Sequence, residues 1–201
     1  MAIKLTVPHH SYNSLRGKAN EFLAKYNPTG AIPVPIEEIA EFSLGLNIIP
    51  IPGLQDALEI AGFISSDFRS ITVDQFVMER RERRYRFTLA HELGHLWLHR
   101  EIFAQLNFHS IDDWKTFQKD VDAEDYGRLE WQAYVFGGLV LVPREPLASH
   151  RATCEQSVRA EGLDPATEAA QWYIVEMLTG RFNASREVIE KRLAKDRGNC
   201  T

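Results

Sequence analysis

A chain of 201 residues, 44% hydrophobic and 25% charged, has enough apolar material for one compact core, and this balance excludes a mainly disordered or fibrous protein. The formal net charge of -5 gives no bulk attraction to phosphate backbones, so direct nucleic-acid binding is not expected. Cys154 and Cys200 stand far apart, which argues against a disulfide scaffold or a thiolate metal site, and no apolar stretch is long enough for a leader or a membrane span; the chain reads as cytoplasmic.

His9 and His10 form a pair in a polar leader, read as surface composition. From Asn13 to Tyr26 the apolar residues Leu15, Ala19, Phe22, Leu23 and Tyr26 recur at helical spacing, with Asn13 or Ser14 able to cap the start. A short helix is expected after the Pro33 to Pro35 segment, with Ile36, Ile39, Ala40 and Leu44 on one side and Gly45 past its end. Leu46 to Ile51 reads as a strand, and Gly62 to Ile64 with Ser70 to Val73 as a hairpin, giving a small antiparallel sheet. Beyond Asp74 the periodicity is helical over 76–100, 127–142, 165–179 and 185–196. Ser110 to Asp125, rich in aspartate, is expected to be an exposed connection, and Pro143, Pro146 and Gly162 mark a second looser stretch. The arginine-rich run ERRERRYR, Glu79 to Arg86, is expected to be a solvated helical face.

The segment FTLAHELGHLWLH contains the pattern H-E-x-x-H, with His91, Glu92 and His95. Four residues along an α-helix turn about 400° and rise about 6 Å, so the two imidazoles project from one face and can reach one zinc ion. Glu92 sits about 100° round the helix, placed to take a proton from a water at the metal. Phe87, Leu89, Ala90, Leu93, Leu96, Trp97 and Leu98 cover nearly every side of this helix, so it is expected to be buried. Two histidines and a carboxylate in such a helix must be paired, hydrogen-bonded or metal-bound.

A catalytic zinc needs a third protein ligand. Glu130, opening the run LEWQAYVFGGLVLVP, is the candidate, because only Gln132 and the Tyr134 hydroxyl interrupt the apolar residues around it. Gly94 on the first helix and Ala133 and Gly137 on the second would let the two backbones approach closely. An extended H-E-x-x-H-x-x-G-x-x-H site is excluded by Leu98 and Glu101. His99 is better placed to support a ligand or contact substrate than to join the metal. Tyr134, His99, His109 and Arg144 are the candidates for stabilising an oxyanion.

The segments RRYRFTLAHELGHLWLH and EWQAYVFGGLVLVP, with the upstream GFISSDFRSITVD and the terminal FNASREVIEKRL, resemble the ImmA/IrrE family of metallopeptidases over about residues 14 to 195. The resemblance implies zinc ligands at His91, His95 and Glu130 and a general base at Glu92, in agreement with the reading of the residues. It departs at Tyr134, where the family usually has Asn or Asp, and at Gly137 and Gly138, which replace small alanines. It further implies cleavage of a separate helix-turn-helix repressor in a stress or mobile-element response. The alternatives are a zinc-stabilised regulatory or binding protein without general peptidase activity, and a toxin–antitoxin component. The expected fold is α+β, a mainly helical single domain with the H-E-x-x-H helix packed on a second ligand-bearing helix. Residues 1–145 would form the metallopeptidase core and 146–201 a C-terminal helical subdomain of the same compact unit.

Overall fold

The computed structural model of the chain describes residues 3–106 and 111–197. Helix α1 (Tyr12–Tyr26) is capped by Ser11, whose hydroxyl accepts the Ser14 N–H at 3.2 Å, a cap earlier than Asn13 or Ser14. Helix α2 (Ile36–Glu38) runs into a π-helical turn over Ile39–Ser43. Then follow β1 (Asn47–Ile51), α3 (Leu54–Leu58), β2 (Gly62–Ile64) and β3 (Ser70–Asp74). The rest is helical: α4 (Gln75–Arg80), α5 (Glu82–Leu98), α6 (Arg100–Phe103), α7 (Ile111–Asp120), α8 (Ala123–Leu141), α9 (Arg144–Ala160), α10 (Glu168–Phe182) and α11 (Arg186–Arg197). Among the described residues no helix is long and apolar enough to cross a membrane.

The α+β class holds, but the sheet is mixed rather than antiparallel. Strands β2 and β3 form the expected hairpin, with Gly62 opposite Val73 and Ile64 opposite Ile71. Strand β1 lies on the other edge of β3 and runs parallel to it, Asn47 beside Ser70 and Ile51 beside Asp74. The chain reaches β3 from β1 through α3 and β2, and a connection of that length permits parallel pairing where a tight turn would not.

Three further expectations are corrected. The helix expected over 76–100 breaks at Arg81, which leaves helical geometry at φ -132°, so α4 and α5 are separate and Asp74 caps α4 by accepting the Val77 N–H at 2.9 Å. The expected exposed connection before Asp125 contains α7, which buries Trp114 and Phe117 while leaving its acidic residues outside. The stretch marked by Pro143, Pro146 and Gly162 is largely α9, because Pro143 stands at the N-cap and Pro146 in the first turn, where a missing N–H breaks no helical bond.

Helices α5 and α8 make the most extensive helix–helix contact of the fold. A Cβ at position 94 would stand 3.0 Å from the Ala133 Cα, and one at 137 would stand 3.1 Å from the His91 nitrogen. Glycine at both positions therefore lets the two backbones meet, at a helix-propensity cost of about 1 kcal/mol each. On the far side of this pair, Phe22 of α1 packs edge-on against Trp97 and Phe136, ring centres 5.4 and 5.6 Å away. Phe22 and Phe136 are fully buried, each stabilising the fold by roughly 1.5–3 kcal/mol.

Candidate metal centre

The close approach of α5 and α8 decides where three donor atoms meet. His91 and His95 lie one helical turn apart on α5, and their Nε2 atoms are 3.1 Å from each other. The Glu130 carboxylate on α8 reaches both, with Oε2 3.1 Å from His91 Nε2 and Oε1 3.4 Å from His95 Nε2. The three side chains form a group able to hold a metal ion. Four-coordinate zinc with bonds of about 2.0–2.1 Å has ligand atoms roughly 3.3 Å apart at the tetrahedral angle, so the donor spacing and the His/His/carboxylate set both fit that ion.

Glu92 points from the same helix toward the sheet. It is buried, and its Oε2 accepts the Ile64 N–H of β2 at 2.9 Å. Burial pushes its carboxyl above the usual carboxylate range, against the opposing pull of His91 and His95. Glu130 shows the reverse balance: burial would raise it, but the imidazoles of His91 and His95 beside it outweigh that and hold it well below the ordinary value. At His91 burial lowers the pKa, and the Glu130 hydrogen bond with the nearby carboxylates turns the net shift upward.

The centre opens into a cleft of about 400 Å³. Gly62 to Ile64 of β2 form one wall, Phe87, Thr88 and the ligand face of α5 the floor, and Leu129, Glu130 and Tyr134 of α8 the opposite wall. Trp114 and Phe117 of α7 close one side, their rings 5.9 Å from Phe63 and 6.3 Å from Tyr126.

The remaining candidates separate. His99 does not join the ligands; its Nδ1 lies 3.2 Å from His95 Nδ1, and burial, then the neighbouring His95, pushes its pKa down to about 3. Tyr134 lines the cleft with its ring, but its hydroxyl donates to Glu187 and accepts from Lys191, at 3.2 and 2.7 Å. Arg144 lies on α9 in a separate groove, and His109 falls outside the described residues. Of the arginine run, Arg84 lines the cleft, while Arg86 turns inward to donate to the Val34 and Asn183 carbonyls. Two residues carry more than their positions promised. Tyr126, one turn before Glu130, lines the cleft beside that carboxylate, and burial raises its phenol so that it stays protonated. Gln132 binds His99; as the amide inside an apolar run, it was the signal available.

A search of curated proteins returns no match. Among solved structures, a Mycobacterium tuberculosis transcriptional regulator superposes with a TM-score of 0.55 at 15% identity, over 90% of this chain and 55% of its own, which shows a shared fold. This chain thus spans about half the length of that regulator. The model of the Peptidase_M78 family, described as the IrrE N-terminal-like domain, matches residues 45–194, a span that holds the donor cluster, Glu92 and the β2 wall. With three donor atoms meeting between α5 and α8 inside that match, the chain belongs to the Peptidase_M78 family of IrrE N-terminal-like domains.

Proposed function

We propose that the chain is a zinc-dependent endopeptidase in which His91, His95 and Glu130 hold the metal and Glu92 is the general base. The observation that carries this reading is the convergence of three donors at the spacing of a tetrahedral site, with a second carboxylate, that of buried Glu92, beside them and unused by the donor set. Zinc bound there would supply Lewis acidity, lowering the pKa of a water and polarising the scissile carbonyl.

The chain's own groups do the rest. The Ile64 N–H fixes one oxygen of Glu92, leaving the other to take a proton from the attacking water and to deliver it to the leaving amine. Strand β2 is an edge of the sheet and a wall of the cleft, an element to which an extended peptide can add by main-chain hydrogen bonds. Trp114 and Phe117 keep water from that side.

The substrate in this reading is a separate helix-turn-helix repressor, so that cleavage relieves repression in a stress or mobile-element response. The support is the family membership and the fold shared with a protein described as a transcriptional regulator. The test is metal analysis of the purified chain, then incubation with repressors encoded beside its gene. One equivalent of zinc and a discrete cleavage product are expected, with Glu92→Gln keeping the zinc and losing cleavage by at least ~100-fold, the scale of general acid–base catalysis. Full cleavage by that variant would remove Glu92 from the mechanism. Zinc bound with no cleavage of any repressor would favour a zinc-stabilised regulatory protein or toxin–antitoxin component.

A further inference from the structure

We propose that residues 3–8 form a strap whose Pro8 carbonyl sets the proton order along Gln132, His99 and His95, and so tunes the affinity of the metal site. This rests on the metal reading above. The argument starts at the far end of the chain of contacts. The Pro8 carbonyl can only accept, so the Gln132 group 2.6 Å from it must be the amide nitrogen. That orientation turns Gln132 Oε1 toward His99 Nε2 at 2.9 Å, and an amide oxygen also only accepts, so His99 carries its proton on Nε2. His99 Nδ1 is then a lone pair, and the His95 Nδ1 lying 3.2 Å from it must be the donor. His95 in that tautomer has an unprotonated Nε2, the atom that faces His91 and Glu130. One main-chain oxygen thus fixes, through two side chains, the form of His95 that can bind a metal. Reversing any member would set two acceptors face to face. A partner on the second nitrogen of a histidine ligand orients the ring and raises its basicity.

The strap is held along its length. Ile3 donates to the Asp120 carbonyl and accepts from the Asp122 N–H, Leu5 donates to Asp125 Oδ2, and Val7 is buried against Ile102 and Leu129. The partners at 121, 125, 129 and 132 follow one face of α8 and its lead-in. An extended chain rises about 3.3 Å per residue and a helix about 1.5 Å, so from Ile3 to Pro8 and from Val121 to Gln132 the two span nearly equal lengths of roughly 16 Å. This match lets six residues keep register with three turns of helix and deliver the Pro8 carbonyl to Gln132. Because Ile3 grips the junction of α7 and α8, the same strap also ties down the helix that closes the cleft.

The experiment uses the full chain. Imidazole 15N spectra of the metal-free protein report the tautomers directly, and zinc affinity is read by competition with a chromophoric chelator, with folding followed by circular dichroism. The expected result is an Nε2–H tautomer for His99 and Nδ1–H for His95. Gln132→Met should bind zinc about 10–100-fold more weakly, the usual cost of losing a partner behind a ligand. Val7→Ser, which loosens the strap while keeping all three side chains of the relay, should shift affinity in the same direction by less. The reverse tautomer at His99, or unchanged affinity in both folded variants, would overturn the proposal. A wild-type chain that takes up no zinc would overturn the metal reading and the strap's role with it.

Discussion

Helices α5 and α8 and helix α7 wall the same cleft, yet they are attached to the protein by different means. The α5–α8 seam is backbone against backbone, with Gly94 on Ala133 and Gly137 on His91, and the donor atoms sit at points fixed by that contact. Helix α7 is held by the rings of Trp114 and Phe117 and, at its C-terminal end, by the bonds of Ile3, with its charged face in solvent. A seam built from glycine positions transmits any change in spacing directly to the donor geometry. A cover held by two rings and one end can detach as a unit while the centre behind it persists, because local openings cost less than global unfolding.

The contrast can be broken most severely at Gly137. Gly137→Val places branched carbon atoms against the His91 backbone, so α5 and α8 must part, at a cost of about 1–3 kcal/mol in stability. Zinc uptake should be lost together with the stability, by chelator competition and denaturant melts on the same samples; tight zinc binding in this variant would show that the seam does not set the donor spacing.

The sheet wall is expected to respond at an intermediate level. Asp74 accepts the Val77 and Gln55 N–H groups, both at 2.9 Å, joining the end of β3 to α4 and α3. Asp74→Ala should cost about 1–2 kcal/mol, measured by urea unfolding. Its pH dependence has a definite sign. Burial raises the carboxyl, but the N–H groups around it outweigh burial and hold it below the ordinary aspartate value. The stabilisation is therefore fully present above about pH 4, near the unfolded value, and is lost as the pH falls through the lower folded value. The gap between wild type and Asp74→Ala should narrow only in that acid range, and a gap that widened there would contradict this assignment.

The smallest effect is expected at the cover. In Trp114→Ala the loss is limited to what docking of α7 contributes, so the melting temperature should fall by only ~2–4 °C, the equivalent of about 1 kcal/mol for a chain of this size. Hydrogen exchange over 111–120 should rise while exchange over α5 and α8 stays unchanged. Loss of protection across all three helices together would mean that cover and seam are one cooperative unit.

The same contrast explains what could be read in advance. The helical repeat that places His91 and His95 on one face is a local property, and so is the run of apolar residues that drives both helices inward; each is written in consecutive residues. Glycine and alanine at 94, 133 and 137 likewise announced a close approach. The break at Arg81 was not visible because the arginine-rich run has helical character on both sides of it. Helix α7 was missed although Ile111, Trp114, Phe117 and Val121 recur at helical spacing, because the aspartates and lysines between them make the segment read as a solvated connection; the structure gives the rings of Trp114 and Phe117 their partners in Phe63 and Tyr126. The parallel pairing of β1 was equally invisible, since a strand's residues do not specify which edge of a neighbour they will join.

By itself, then, the order of residues determined the helix faces, the donor types and their spacing along the chain, because these follow from the 3.6-residue turn and from what a buried charge requires. Only the tertiary structure decided that Glu130 meets both imidazoles, that Ile64 holds Glu92, and that Pro8, 124 positions before Gln132, ends the relay behind His95. Those contacts join segments distant along the chain, and their energies exist only once packing has brought both partners out of water.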